Sequence, residues 1–160
     1  MTIQVGDAIP SAKLMTPSPD GPKEITTEEL FGGKTVILFG VPGAFTPTCS
    51  AKHLPGFVQG AAAIKAKGVD TVACMSVNDV FVMKAWGADQ GVDDKVVMLA
   101  DGAAAFTKAL GLELDLTARG LGIRCQRFAL VAKDGKVTHL AVEAPGAFEV
   151  SSAEAVLAKL

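Results

Sequence analysis

The sequence predicts an α/β fold, with a central mixed β-sheet flanked by helices. Three observations carry the prediction. Short apolar runs of strand length alternate with helical stretches through the middle of the chain. Near the C-terminus two strand-like runs, Arg127 to Ala132 and Lys136 to Val142, are joined by Lys133-Asp134-Gly135, a strong hairpin signal. Alternation in the middle and an antiparallel hairpin at the end together make a mixed sheet. The length of 160 residues fits one domain, 1–160, able to bury a sizeable core.

The elements follow in order. Residues 1–24 are broken by Pro10, Pro17, Pro19 and Pro22 and read as short strands and turns on one edge. Thr26-Thr27-Glu28-Glu29 reads as a capping box opening a short helix through Leu30, stopped by Gly32-Gly33. Thr35 to Gly40 is a buried strand. Ser50 to Lys67 reads mostly as helix, and Pro55-Gly56 inside it requires a kink or a restart. Val69 to Val77 is a second buried strand. Asp79 caps a helix through about Asp89, which Gly91 ends. Lys95 to Ala100 is a third strand, and Ala103 to Leu110 a short helix closed by Gly111. Residues 111–126, with three glycines, read mostly as loop. After the hairpin, Ser151 or Ser152 caps a terminal helix to Leu160.

Composition narrows the function. Hydrophobic residues make up 49% of the chain and the net charge is only −2, so neither nucleic acid nor an anionic membrane is indicated as a partner. Arg119, Arg124 and Arg127 form at most a local anion-attracting spot. Three cysteines (49, 74 and 125) are too few for a secreted disulfide framework, and a reducing compartment, the cytoplasm, is the default. No signal peptide or bilayer-length apolar run is found. The final Ala158-Lys159-Leu160 also resembles a relaxed peroxisomal address, although it reads more simply as the end of a short Ala/Leu/Lys helix. With two histidines, His53 and His139, no metal set is complete. No cofactor is called for.

The chemistry centres on Pro42-Gly-Ala-Phe-Thr-Pro-Thr-Cys49. Cys49 falls at a strand-to-helix turn, in or just before the first helical turn, where unpaired N–H groups and the helix dipole favour a thiolate. Pro42 and Pro47 fix the loop on both sides of Thr46. Thr46 lies three residues before Cys49, so its hydroxyl can reach the sulfur across one turn. Easier ionisation alone is a weak lever, because nucleophilicity falls with basicity along a Brønsted slope of about 0.4–0.5. Alignment of the substrate and stabilisation of the leaving oxygen must do most of the work. His53 sits four residues after Cys49, on the same face of a regular helix. A Cys-protease pair would need an orienting third group, so His53 reads instead as tuning the pocket or satisfying a polar contact.

Pro42-x-x-x-Thr46-x-x-Cys49 resembles the active-site signature of the peroxiredoxins. The longer run through Ser50, with Lys52-His53-Leu54-Pro55-Gly56-Phe57, is similar to the type II, peroxiredoxin-V-like subfamily. The likeness resumes at Val77-Asn78-Asp79, Ala85-Trp86-Gly87 and Arg127-Phe128-Ala129-Leu130. The resemblance implies a thioredoxin-like fold. It also implies a thiol peroxidase in which Cys49 reduces hydrogen peroxide and alkyl hydroperoxides and becomes a sulfenic acid. It makes Arg127, Thr46 and Pro42 catalytic partners, with Arg124 solvated or supporting. Substrate contacts fall to Gly43, Phe45, Thr48 and His53, with backbone N–H groups from Gly43 to Cys49 completing an anion site. Cys74 is the candidate resolving thiol, against an inert packed one. The peroxiredoxin-V resolving position matches Ser151 here, which argues against that disulfide and for reduction by glutathione with glutaredoxin or by thioredoxin. A homodimer is implied, through Pro42 to Thr48, the region after Asp79 and Gly111 to Leu116, with Phe45 and Leu112 as candidate anchors, each of which reads equally as core. The competing readings are a redox sensor or chaperone using reversible Cys49 oxidation, and a disulfide oxidoreductase, for which Cys49-Ser-Ala-Lys52 lacks the second thiol.

Overall fold

Seven strands form the central sheet of the computed structural model, which describes residues 1–160. In chain order the elements are β1 (Lys13–Ser18), β2 (Gly21–Thr26), α1 (Thr27–Phe31), β3 (Thr35–Gly40), a π-helical turn (Cys49–His53), α2 (Leu54–Ala66), β4 (Thr71–Ser76), α3 (Val80–Asp89), β5 (Val97–Ala100) and α4 (Ala105–Leu110). Then come β6 (Glu113–Leu116), β7 (Gly122–Cys125), β8 (Phe128–Lys133), β9 (Lys136–Val142) and α5 (Ala153–Leu157). The sheet order is β2-β1-β5-β4-β3-β8-β9. β3, β4 and β5 are parallel, while β1 and β8 run antiparallel to their neighbours. The sheet is therefore mixed, as the alternation and the terminal hairpin predict. No helix is long and apolar enough to cross a membrane.

β3 explains why the middle strands read as continuous apolar runs. Ile37 and Phe39 join the core under α2, α3 and α5, while Val36 and Leu38 join the core on the opposite face. Both faces are covered, so both sets of alternating side chains must be apolar. The local signals hold as well. Thr26 Oγ1 accepts from Glu29 N at 3.1 Å, and Asp79 Oδ1 from Val82 N at 2.9 Å. Asp134 and Gly135 take φ of 49° and 76°, the paired positive values that a two-residue hairpin turn needs.

One expectation is corrected. Residues 111–126 are not mostly loop: β6 and β7 pair antiparallel as a separate two-stranded ribbon, joined through a short 3-10 turn at Thr117–Arg119. Its strands are only four residues long, and β6, Glu-Leu-Asp-Leu, alternates too briefly to stand out between glycines. Of the two readings of Leu112 the structure gives the core one: it packs beside α4, 1% exposed.

Candidate active site

The active turn leaves β3 at Gly40, and helical backbone resumes at Pro47. Pro47 suits the first helical position, where its missing N–H would be unpaired anyway. The backbone N–H groups of Thr48 and Cys49, in that first turn, have no partner within the chain, while Ser50 N bonds Thr46 O at 3.0 Å. The turn that follows is widened: Leu54 N–H bonds Cys49 O, five residues back. In a regular α-helix the Pro55 ring would strike the carbonyl of Ala51, and the wide turn lets the chain pass it. The predicted restart is this π-to-α junction.

Arg127 reaches the turn through sheet register. β8 pairs antiparallel with β3, Phe128 opposite Gly40, so Arg127 stands beside the point where β3 gives way to the turn. A side chain at Gly40 would overlap the Phe128 ring, so this close approach needs glycine. Arg127 Nη2 donates to Cys49 Sγ at 3.1 Å, and Nη1 donates to His53 Nδ1 at 2.9 Å. His53 Nε2 lies 2.9 Å from the Ser151 carbonyl, which can only accept. Nε2 therefore carries the ring proton and Nδ1 offers its lone pair to Arg127. Burial, then the Arg127 charge, hold the His53 pKa down at about 3, so the ring is neutral at neutral pH.

Glu143, directly after β9, completes the arrangement. Its backbone N–H bonds Arg127 O at 2.9 Å. Its Oε2 accepts from Glu149 N, Val150 N, Ser151 N and Ser151 Oγ at 2.7–2.9 Å. Burial alone would raise this carboxyl, but the Ser151 hydroxyl and the backbone donors outweigh it and leave the pKa lowered. Phe148, in the same loop, stands edge-on to His53, ring centroids 5.1 Å apart, and 5.9 Å from the Arg127 guanidinium carbon.

A cavity of about 130 Å³ opens against this pair, lined by Pro42, Thr48, Leu114, Gln126, Arg127, Glu143 and Ala144 to Ala147. It holds only a small molecule. Cys49 itself is fully buried behind the lining. Of the sequence-predicted residues, Pro42, Thr48 and Arg127 border the cavity. Gly43 is buried in the turn, where a Cβ would come within 2.9 Å of Arg124 Nη1. Arg124 also donates to Pro42 O at 3.4 Å and so braces the turn, a supporting position. Phe45 lies on the surface, 52% exposed, and does not line the cavity.

Two further site expectations change. The Thr46 hydroxyl donates to Gly43 O at 2.7 Å and not to the sulfur, because the tight turn brings that carbonyl nearer. His53 is not a substrate-contacting residue: it is 0% exposed, behind Arg127, with both ring nitrogens engaged. Cys74 is fully buried in β4 opposite Phe39, and burial, then the charges at Cys49 and Cys125, push its thiol far up. Cys125 packs on the other face of the sheet, its thiol also pushed up by burial. The sequence reading missed Glu143 altogether. It noted Asn78 only by resemblance, yet Asn78 Oδ1 accepts from Ala44 N at 2.9 Å and pins the active turn to the end of β4.

The Redoxin family model matches residues 4–157. The chain is 51% identical to Peroxiredoxin-2E, chloroplastic, of Arabidopsis thaliana, over 99% of this chain and 70% of that protein. It is also 51% identical to Peroxiredoxin-2B of the same plant, over 99% and 98%. Among solved structures, reduced Prx3 from Vibrio vulnificus in complex with H2O2 superposes with a TM-score of 0.95 at 53% identity, covering 99% of each chain. A free thiol gripped by a guanidinium beside a small cavity suits such relatives. The chain belongs to the Redoxin family and, within it, to the type II peroxiredoxins, on a thioredoxin-like fold, and is a thiol-dependent peroxidase.

Proposed function

We propose that Cys49 is the peroxide-reducing nucleophile and that Arg127 is its principal electrostatic partner. The observation that carries this reading is the 3.1 Å bond from Arg127 Nη2 to Cys49 Sγ, at the edge of a cavity sized for a small hydroperoxide. The thiolate attacks one peroxide oxygen and the O–O bond breaks. That oxygen stays on sulfur and passes its proton to the other, which leaves as water or an alcohol; the sulfenate left behind takes a proton from solvent to become sulfenic acid. Arg127 and the free N–H groups of Thr48 and Cys49 stabilise charge moving from sulfur to the leaving oxygen. Thr46, its proton committed to Gly43 O, offers lone pairs to a hydroperoxide proton. Pro42 and Thr48 shape the entrance, and Pro42 keeps water from the sulfur.

Regeneration takes two external thiols per sulfenic acid, yielding a disulfide and water. Glutathione with glutaredoxin, or thioredoxin, supplies them, and Cys74 stays a packed thiol. The burial of Cys74 and Cys125 supports this route. Steady-state turnover with each reductant tests it, in wild type and in Cys74→Ser and Cys125→Ser. Undiminished turnover in both variants is expected. Loss of turnover in either, with dimedone still trapping sulfenic acid on Cys49, overturns it. A reducing compartment, the cytoplasm, suits three unbridged thiols; the peroxisome is the alternative, and imaging a fusion with a free C-terminus separates them. Phe45, Phe81 and Leu121, all exposed, support a homodimer through the loops around the active turn. Light scattering of wild type against Phe45→Glu tests that interface.

A further inference from the structure

We propose that Glu143 is a positioning residue for the reactive thiol: by clasping residues 149–151 it holds the Ser151 carbonyl on His53, which fixes the imidazole as the acceptor that aims Arg127 at Cys49. This rests on the thiol-peroxidase reading above.

One carboxylate oxygen, Glu143 Oε2, takes four hydrogen bonds, three from consecutive backbone N–H groups. Residues 144–151 leave β9 and double back so that their end closes on their start. The closure holds Phe148 against the His53–Arg127 pair and the Ser151 carbonyl against Nε2. That carbonyl selects the tautomer. Were the loop released, the proton could move to Nδ1, and an N–H would then face the Arg127 Nη1 donor. Two donors cannot pair, and the guanidinium would turn from the sulfur. Glu143 also holds Arg127 at the backbone, through Glu143 N to Arg127 O. One residue thus governs both ends of Arg127 without touching the sulfur itself.

A double-mutant cycle with two readouts tests this: the rate constant for Cys49 oxidation by hydrogen peroxide, followed by Trp86 fluorescence, and alkylation of Cys49 by iodoacetamide, each taken at its high-pH plateau, where the thiol is fully ionised and alkylation needs no aligned guanidinium. Glu143→Gln is expected to slow peroxide oxidation about tenfold relative to alkylation. In His53→Asn, Oδ1 overlaps the Nδ1 position and still accepts from Arg127, but the shorter chain no longer reaches Ser151. In that background Glu143→Gln is expected to have little further effect. His53→Gln, whose amide overlaps Nε2 instead, is expected to be slower than His53→Asn. An equal loss from Glu143→Gln in both backgrounds, or parallel slowing of alkylation, makes Glu143 merely structural and overturns the proposal. Should Glu143→Gln not fold, Ser151→Ala enters the same cycle. Nitrogen NMR of the wild type needs no variant, and a His53 ring protonated on Nδ1 at neutral pH is equally fatal. If wild-type Cys49 does not react with peroxide at all, the underlying function fails, a different result from any of these.

Discussion

Cys49 and Cys74 are both fully buried, and both belong to the apolar core beneath α2 and α3. Burial therefore does not separate them. Cys74 sits mid-strand in β4 opposite Phe39, its backbone tied into the ladder and its sulfur without a hydrogen-bond partner. Cys49 sits where β3 has ended, in a first helical turn with free N–H groups and a guanidinium on its sulfur. In low dielectric an unsupported thiolate is costly, whereas one held by charge-assisted donors is sustained. One sheet thus holds both a packed thiol and a donor-held one, and the donors at the strand's end set the two sulfurs apart.

The sharpest way to probe this contrast is acid. The Cys49 end of the core contains a buried histidine and the Cys74 strand contains none. Unfolded, His53 binds a proton near its ordinary 6.5; folded, only near 3. Between those values the unfolded state binds more protons, so stability falls as pH drops from about 6.5 to about 3 and is unaffected above. The full loss is about 5 kcal/mol, read from urea unfolding at a series of pH values. His53→Asn should flatten the curve between pH 6.5 and about 4.5, where carboxylates do not contribute. Glu143 has its pKa lowered, so its stabilisation is fully present above its ordinary 4.5 and is lost as pH falls from there toward the folded value.

Removing the guanidinium comes next. Arg127→Gln is expected to lower the peroxide rate constant by roughly 10²–10³-fold, the usual consequence of losing a donor aimed at developing charge. Stopped-flow oxidation measures this, and a loss under tenfold would mean that backbone N–H groups alone activate Cys49. Thr46→Val breaks the bond to Gly43 O and should cost about 1 kcal/mol of stability, while Thr46→Ser keeps it. Cys74→Ala should matter least: about 1 kcal/mol for a small cavity, with peroxide reactivity unchanged. In the native protein, a thiol reagent should modify Cys49 and reach Cys74 and Cys125 only on unfolding. A second fast thiol would erase the distinction.

Much of this was readable in the chain. The strand 35–40, the hairpin turn at Asp134-Gly135, the caps at Thr26 and Asp79 and the Pro-rich active turn all depend on neighbours in sequence, and local steric and hydrogen-bond rules act there. The resemblance named Arg127, but it did not supply the register that brings it to Cys49. The ribbon β6–β7 escaped because four-residue strands carry too short an alternation. Glu143 left no signal at all. Its partners are mainly backbone N–H groups, which every residue except proline offers, so side-chain identity could not announce the clasp.

By itself, then, the sequence determined the proline-rich turn that carries Cys49, the proposed nucleophile, and the alternation that makes a mixed sheet. Only the tertiary structure decided which guanidinium meets the sulfur, which tautomer His53 holds and what keeps it there. The antiparallel pairing of β3 with β8 spans some ninety positions of chain. The folding of the 144–151 loop back onto Glu143 then sets the hydrogen-bond geometry. Donors and acceptors act over about 3 Å, and which ones come that close is settled by how the whole core packs.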